Sequence, residues 1–380
     1  MPALRNNYNV PLNGYRGLCA LAVFLYHAGN GGLVDMSQLG PLGFAWSALR
    51  YGVELFFMIS GFVIAGSLLR HGDLAAFLRD RFIRIYAAWA PAVALLALVL
   101  WALRMKIFEN VTAPRATAIF LLNLYLVPPF VPRSLQTLDG LQPYVNPASW
   151  SLSYEWVFYL AAAAGLGLSR ERRCLGPGLR AAWLALVISF VAAFPRALFF
   201  LPGIVVFRYL DWFERHRSLL RMPLLSLLTF LLAWRMTGAD KAELGETMVD
   251  WLRDGRILPA LVALLAAIHM FASVTLRATR QFTLLESRPF QFLGTISYSF
   301  YLWQAPLIAA VKKVVTALVV PQLGATAGLM CLILGSLLVA LPLSWASWAL
   351  CEVRLAAWLR SLLTPQPTAA AFEAQAEGAE

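Results

Sequence analysis

The sequence predicts an all-α membrane protein, a polytopic bundle of about ten transmembrane helices. Hydrophobic residues make up 60% of its 380 residues and charged residues only 13%, about half the share found in soluble domains. Apolar runs of about 15 to 25 residues recur along the whole chain, and each is long enough to approach or complete a crossing. Strand-like alternation is not sustained, which argues against a sheet-based membrane fold.

These runs predict ten spans. In chain order they are 12–28, 43–69, 83–103, 150–168, 179–194, 198–212, 222–236, 257–276, 292–320 and 324–358. The last two are long enough to tilt or to project from the bilayer. A further run at 116–130 is interrupted by Pro128 and Pro129, and we expect it not to cross completely.

Positive charge predicts the orientation. The chain carries a formal net charge of +11, and its arginines cluster between apolar runs, as they do in cytoplasmic loops. If the N-terminus is inside and 116–130 does not cross, the basic clusters all fall inside: 79–84, 170–173, 215–221, 277–288 and 354–360. This predicts a multi-pass protein of the inner (plasma) membrane with both termini cytoplasmic. The same distribution gives no indication of nucleic-acid binding.

The chain divides into a cytoplasmic N-terminus (1–11), a membrane domain (12–358) and a cytoplasmic tail (359–380) whose composition predicts disorder. No cleavable signal peptide is expected. No internal repeat is evident, which weakens the case for a transporter built from inverted repeats. The His, Cys and acidic residues show no metal-ligand spacing, so we expect no metal.

The first span carries two ionisable residues, Arg16 and His27. Eleven residues are close to three helical turns, so both side chains face the same way, about 16 Å apart along the axis. Ionisable groups inside a membrane are costly and are usually functional. The arginine can hold an anion near the membrane surface, and the histidine can act as a base further in.

Arg81 and Arg84 open the third predicted span and are neighbours on one helical face. The planar fork of arginine binds two phosphate oxygens at once. A positive-inside anchor explains the pair equally well on its own. Arg16, which this topology places on the same side of the membrane, favours anion binding.

Glu155 lies in an aromatic run, at 149–159. The predicted topology places it in the outer half of its span, as it does His27. A carboxylate there either pairs with a base or is kept protonated by burial. The alternative is a structural hydrogen bond to a Tyr or Ser on another helix.

Four further residues are candidates for the lining of a cavity: Glu54, Ser151, Tyr298 and Trp303. Glu54 and the aromatic stretch 294–304 also have simple packing explanations. Next to Glu54 in the chain, Ser60 and Gly61 permit close contact between helices. Glu352, late in the last span, is expected to form an ion pair at the inner face.

Together these stretches resemble acyltransferase family 3, a family of membrane proteins. The matching segments, in order, are LNGYRGLCALAVFLYH, GVELFFMISGFVI, RFIRIY, SWSLSYEWVFYL and ISYSFYLWQAPL, followed by Glu352. The resemblance implies a ten-span fold that transfers an acyl group, usually acetyl, from cytoplasmic acyl-CoA to a hydroxyl of a glycan or lipid-linked saccharide, as in exopolysaccharide or O-antigen modification. It implies no cofactor, since acyl-CoA is a co-substrate.

The resemblance also implies functions for individual residues. Arg16, His27, Arg81 and Arg84 match functional positions of the family, and Glu155 matches the glutamate of its W-S-L-S-x-E motif. The sequence departs from the family at four positions, where it has Asn13 for aspartate, Glu54 for aspartate, Ala87 for proline and Gln304 for histidine. Gln304 cannot titrate, so we give it no role in proton transfer.

Helix geometry and resemblance together predict a mechanism. Arg16, Arg81 and Arg84 hold the phosphates of acyl-CoA, and the pantetheine arm runs along the first span toward His27. His27 then acts as general base on the acceptor hydroxyl, and Glu155 orients the imidazole. Direct transfer and a transient acyl-enzyme both remain open. The rival hypothesis is a transporter or flippase of an anionic lipid or polysaccharide precursor.

Overall fold

The computed structural model describes residues 9–70, 73–105, 108, 111–130, 144–170, 177–238 and 247–363, and all regular structure within them is helical. The α-helices are α1 (Asn9–Gly29), α2 (Gly40–Ala48), α3 (Gly52–Arg70), α4 (Leu74–Ala102), α5 (Ala113–Leu124), α6 (Ser149–Arg170), α7 (Pro177–Ala193), α8 (Phe200–Arg208), α9 (Leu210–Arg215), α10 (Pro223–Met236), α11 (Met248–Arg253), α12 (Ile257–Thr275), α13 (Arg288–Leu318), α14 (Val320–Ser347) and α15 (Ala356–Leu363). A π-helical segment, Trp348–Leu355, joins α14 to α15. The all-α fold class is therefore confirmed for the described residues.

The predicted number of spans is not confirmed. Within the described ranges, four helical stretches are long and apolar enough to cross a membrane: Met36–Arg70, Leu74–Ala102, Ile257–Thr275 and Val320–Leu363. A fifth is added if Pro177–Ala193 and Pro195–Arg208, which meet at 112°, form one broken span. Several apolar helices and one continuous bundle indicate a multi-pass membrane protein, and ten spans stay a prediction.

Two predicted spans are shorter as helices than as apolar runs. The run at 198–212 is interrupted at Tyr209, whose backbone leaves the helical region, so α8 has nine residues and a length of about 14 Å. The run at 222–236 becomes α10, which has 14 residues and is about 21 Å long. Neither reaches the roughly 30 Å of a hydrocarbon core. Hydropathy measures how apolar a segment is, whereas the length of a crossing depends on an uninterrupted helix.

The run at 116–130 also behaves as a short helix. In the structure, α5 has 12 residues and is about 18 Å long, which is too short for a full crossing. This agrees with the expectation for that run. Residues 131–143, which follow it, lie outside the described residues.

The helix that carries the arginine pair begins nine residues before the predicted span. The side chain of Asp73 caps α4 by accepting hydrogen bonds from the backbone N–H groups of Ala76, at 3.0 Å, and Ala75, at 3.2 Å. These bonds lower the pKa of the Asp73 carboxyl, because they stabilise its charged form. Arg81 and Arg84 consequently lie two to three turns inside α4, with their side chains toward the bundle.

The first and last helices extend beyond the spans predicted for them. The first helix begins at Asn9 rather than at residue 12. At the other end α15 continues to Leu363, so residues 359–363 of the predicted tail are helical. Arg79 Nη1 donates to the Leu363 carbonyl at 3.4 Å, which holds α15 against α4. Residues 1–8 and 364–380 lie outside the described residues.

Glycines let α1 pack directly against its neighbours. A Cβ at Gly17 would lie 2.5 Å from the Phe290 carbonyl oxygen, and a Cβ at Gly294 would lie 2.0 Å from that of Asn13. Asn13 adds hydrogen bonds from Nδ2 to the backbone and side-chain oxygens of Gln291, at 3.0 and 3.1 Å. Backbone contact of this kind fixes the register of α1 on α13, and with it the position of Arg16.

A second close contact confirms the sequence expectation for Gly61. A Cβ added there would lie 2.1 Å from the Phe200 carbonyl oxygen, and one at Gly203 would lie 1.9 Å from that of Met58. We expect Gly61→Ala to force α3 and α8 apart and to destabilise the protein by about 1–3 kcal/mol, the usual cost of overpacking. Thermal unfolding in detergent measures this.

Gly178 supplies the control for that substitution. It is exposed near the start of α7, and among the described residues no atom beyond its own stretch of helix lies within 4 Å of a Cβ built on it. Gly178→Ala should therefore leave the unfolding temperature unchanged or raise it slightly. If Gly61→Ala is as stable as Gly178→Ala, the α3–α8 contact is looser than the structure indicates.

Candidate active site

A cavity of about 830 Å³, including its open mouth, lies between α1, α3, α4, α6 and α13. Most of the exposed surface of its wall is apolar, to which the aromatic rings of the tyrosines contribute. Its charged and hydroxyl-bearing lining consists of Arg16, Arg81, Arg84, Glu155, Ser60, Ser151, Ser297, Tyr159, Tyr298 and Tyr301. Six of the nine site residues predicted from the sequence thus share one cavity. His27, Glu54 and Trp303 are not in its lining.

Three arginines converge on this cavity from two helices. Arg84 pairs with Glu352 at 2.8 Å, Nη1 to Oε2, and its guanidinium carbon lies 5.4 Å from the centre of the Tyr298 ring. Arg81 donates from Nη2 to Ser67 Oγ at 3.3 Å and lies over the Tyr159 ring at 5.8 Å. Arg81 and Arg84 therefore each rest on an aromatic ring and retain N–H groups for a ligand.

Arg16 differs from the other two arginines because it makes no hydrogen bond with any residue that the structure describes. Its charge interacts with those of Arg84, Glu352 and Glu155. If these arginines and glutamates are all charged, the three positive charges exceed the negative charges of Glu155 and Glu352 by one. The cavity is therefore suited to an anion, with donors already directed at it.

Glu155 is held by two hydroxyl groups. Ser60 Oγ donates to its Oε1 at 2.6 Å, and the Tyr159 hydroxyl, one turn further along α6, donates to the same oxygen. No hydrogen bond or ion pair joins Glu155 to His27, and both residues lie in the described part of the chain. The expected pairing of Glu155 with the imidazole is therefore wrong, and the carboxylate shares its cavity with the arginines instead.

The start of α6 explains this difference. A span that begins at the outer surface would place Glu155 in the outer half of the membrane, as the sequence predicts. In the structure, the residues that lead into α6 are already buried: Val145, Asn146, Ala148 and Ser149. The helix therefore begins inside the bundle, and Glu155, which follows less than two turns later, lines the cavity.

Asn146 stabilises this buried start. Pro306 has no backbone N–H, so the Leu302 carbonyl on α13 lacks its helical donor, and Asn146 Nδ2 donates to that oxygen at 2.9 Å. Asn146 Oδ1 accepts from the Ala148 N–H, also at 2.9 Å. One buried amide therefore joins α6 to α13. In the sequence, the proline after Y-L-W-Q-A indicates that a backbone carbonyl of this helix needs a donor from elsewhere.

His27 lies near the end of α1, about 16 Å along the axis from Arg16. Its ring is 5.3 Å from that of Tyr26 in an edge-on arrangement. The Tyr26 hydroxyl accepts from Asn30 Nδ2 at 2.9 Å and from Arg50 Nη1 at 3.3 Å. His27 itself makes no hydrogen bond with the described part of the chain.

Two hydroxyls that sequence reasoning missed lie on α13. Tyr301 and Ser151 are hydrogen-bonded at 2.8 Å and both line the cavity. Ser297 also lines it, and its buried Oγ has no partner among the described residues. Residues 294, 297, 298 and 301 share one helical face, so the spacing could have revealed a hydroxyl stripe. Of this stretch, the sequence predicts only Tyr298 and Trp303 as possible cavity lining, beside a simple packing interpretation.

Glu54 lies in a separate ion pair and not in the cavity lining. Arg196 Nε is 3.5 Å from Glu54 Oε1, and Trp234 Nε1 donates to the same oxygen at 3.2 Å. The Arg196 guanidinium carbon lies 5.0 Å from the centre of the Trp150 ring. Arg196 was missed because it stands alone between two predicted spans, where α7 and α8 break apart.

Trp303 packs away from the cavity, against the core formed by α4, α5 and α6. Its buried indole N–H finds no acceptor among the described residues. The described residues also contain no group of three or more His, Cys, Asp or Glu that could hold a metal ion.

Comparisons with known proteins now identify the family. A family model described as an acyltransferase domain matches residues 9–346. Exopolysaccharide production protein ExoZ of Rhizobium meliloti is 28% identical over 303 residues, which cover 76% of this chain and 85% of ExoZ. Peptidoglycan O-acetyltransferase OatA of Listeria monocytogenes is 23% identical over 343 residues, which cover 81% of this chain and 50% of OatA.

Acyltransferase MdmB of Streptomyces mycarofaciens is 30% identical over 152 residues, which cover 39% of this chain and 37% of MdmB. The chain thus spans half of OatA and little more than a third of MdmB. No solved structure matches the chain. The family match covers nearly the whole chain, and it includes every helix that contributes to the cavity: the chain belongs to acyltransferase family 3.

Proposed function

We propose that the protein is a plasma-membrane O-acyltransferase that moves an acyl group, in the simplest case acetyl, from cytoplasmic acyl-CoA to a hydroxyl of a glycan or lipid-linked saccharide of the exopolysaccharide or O-antigen type. The observation that carries this proposal is the convergence of Arg16, Arg81 and Arg84 on one cavity. The pyrophosphate and the 3′-phosphate of CoA are anions that arginine forks bind well. Relatives named for exopolysaccharide production and peptidoglycan O-acetylation support a glycan acceptor.

In the proposed reaction the acceptor oxygen attacks the thioester carbonyl. A C–O bond forms, the C–S bond breaks, the hydroxyl proton passes to a general base, and CoA leaves as the thiol. We assign His27 as that base, because it lies on the same face of α1 as Arg16 at a separation that suits the pantetheine arm. Glu155, held by Ser60 and Tyr159, balances the charge of the arginines.

The rival hypothesis is a transporter or flippase of an anionic lipid or polysaccharide precursor. Such a protein would also use arginines at a cavity mouth. The family match argues for acyl transfer. Incubating the purified protein with acetyl-CoA labelled in the acetyl group distinguishes the two, because only a transferase moves the label to a glycan acceptor or to water. Mass spectrometry of surface glycans from cells with and without the protein then identifies the acceptor.

Donor binding gives a sharper test. Arg81→Ala should weaken acyl-CoA affinity about ten- to a hundredfold, because a charge-assisted hydrogen bond is worth roughly 1.5–3 kcal/mol. Arg81→Lys should restore only part of this affinity, since an ammonium group cannot make the forked contact. Titration of acyl-CoA into detergent-purified protein measures both variants.

Arg208 supplies the matched control for the Arg81 variants. It is exposed on α8 and lies over the Tyr209 ring, away from the cavity lining. Arg208→Ala should bind acyl-CoA like the wild type. Unchanged affinity in Arg81→Ala would make the arginine pair a topological anchor rather than a donor site.

A further inference from the structure

Glu352 is a buried carboxylate in the π-helical segment Trp348–Leu355, and its side chain is only 5% exposed. A π-helical turn closes hydrogen bonds over one more residue than an α-helical turn, which changes the direction of the side chains that follow, and such turns are frequent at functional sites. The helix could have continued as a regular α-helix from α14 to α15. The π-helical turn contains Glu352, whose carboxylate contacts Arg84 of the cavity lining.

Both oxygens of Glu352 are engaged. Oε2 contacts Arg84 Nη1 at 2.8 Å. Oε1 accepts from Ser299 Oγ at 2.7 Å and from the Ser299 N–H at 3.1 Å. The carboxylate is therefore anchored on α13 through Ser299 and holds an arginine of α4.

Arg84 is fixed from a second direction by Tyr298. The Tyr298 ring lies under the guanidinium, and its hydroxyl donates to the Ile85 carbonyl at 2.8 Å. The Arg84 side chain remains 38% exposed, so it is held in place and still accessible from the cavity. Glu352 does not line the cavity itself, and it can affect a ligand there only through another group.

We propose that Glu352 is a positioning residue for donor binding, which holds Arg84 in the orientation that receives a phosphate of acyl-CoA; this inference rests on the proposed function. A long side chain that is ordered before the ligand arrives does not have to be ordered during binding, which improves affinity. The charge of Glu352 also acts on Arg16 and offsets the repulsion between Arg16 and Arg84 in the empty cavity.

A double-mutant cycle tests this role. Glu352→Gln keeps the shape of the side chain and an oxygen for Ser299 but removes the charge that holds Arg84. We expect it to raise the KM for acyl-CoA about tenfold while kcat at saturating donor stays within about twofold. In an Arg84→Ala background the same change should add less than about twofold, because the arginine through which it acts is gone. Glu352→Asp should restore part of the affinity.

Glu286→Gln is the matched control. Glu286 also pairs with an arginine, Arg277 Nε, at 2.7 Å, but neither residue lines the cavity. This variant should keep the wild-type KM. If Glu352→Gln fails to fold in detergent, Ser299→Ala takes its place in the cycle, since it removes the hydroxyl that anchors the carboxylate.

Each outcome is decisive. The inference is overturned if the double variant loses donor affinity by the product of the two single losses. It is also overturned if Glu352→Gln lowers kcat with unchanged KM, or if Glu286→Gln raises KM as much as Glu352→Gln does. A wild-type protein that does not bind acyl-CoA would overturn the proposed function, and this inference with it. If the wild type binds acyl-CoA and Glu352→Gln has no further effect in the Arg84→Ala background, the result supports both the proposed function and this inference.

Discussion

Replacing His27 with alanine is expected to lower acyl transfer about a hundred- to ten-thousandfold, the usual contribution of a general base. Acyl-CoA binding and folding should be retained, because the arginines that we propose to hold the donor lie elsewhere: Arg16 is about three turns away along α1, and Arg81 and Arg84 are on α4. Donor titration and single-turnover transfer on purified variants separate the two effects. His216→Ala is the control, since His216 is exposed and bonded to its own helix through the Trp212 carbonyl.

The pH dependence of transfer adds a second readout. Wild-type transfer should fall as the pH drops through the titration of the proposed base, because only a neutral imidazole accepts a proton. Glu155→Gln should lower the rate without shifting this profile, since Glu155 is bonded to Ser60 and Tyr159 and not to His27. If the His27→Ala variant transfers the acyl group at the wild-type rate, His27 is not the base, and Glu155 or Glu54 becomes the candidate.

Replacing Arg196 with alanine is expected to destabilise the protein by about 3–5 kcal/mol. Glu54 is 1% exposed, and removing its cation leaves an uncompensated charge inside the bundle. The loss of the contact with the Trp150 ring adds to this. Unfolding in detergent measures the change, and the double variant Arg196→Ala with Glu54→Gln should recover part of it, because no buried charge is then left behind.

Glu214→Gln provides the exposed counterpart of this experiment. Glu214 pairs with Arg217 at 3.3 Å, and both side chains are more than a third exposed. Surface ion pairs are worth about 0–1 kcal/mol, so this variant should remain close to the wild type. If Arg196→Ala is no less stable than Glu214→Gln, the pair of Arg196 and Glu54 contributes no more to stability than a surface ion pair does.

The sequence anticipated much of the arginine cluster that we propose to bind the donor. Arg81 and Arg84 are three residues apart, so any helix places them on one face, and Arg16 reaches the same side through the topology that basic loops predict. These relations depend on helical periodicity and on composition, which are local properties of the chain. All three arginines do line one cavity, and the family resemblance is confirmed.

The sequence could not reveal the partners of the carboxylates. Glu155 was expected near His27, but where α6 begins depends on a hydrogen bond between Asn146 and α13, from residues 156 apart in the chain. Glu54 finds Arg196, and Glu352 finds Arg84, across similarly long separations. Hydrophobic periodicity carries no information on which acid meets which base.

The sequence by itself determined the all-α fold class, the bounds of most long helices to within a few residues, the family, and the shared face of Arg16 and His27. These follow from apolar composition, from 3.6-residue periodicity and from motif order. Only the tertiary structure decided the 112° angle at the break between α7 and α8, the cavity, and the separation of Glu155 from His27. Those features arise from contacts between distant segments, where backbone proximity at glycines and buried ion pairs select one arrangement among many that the same helices permit.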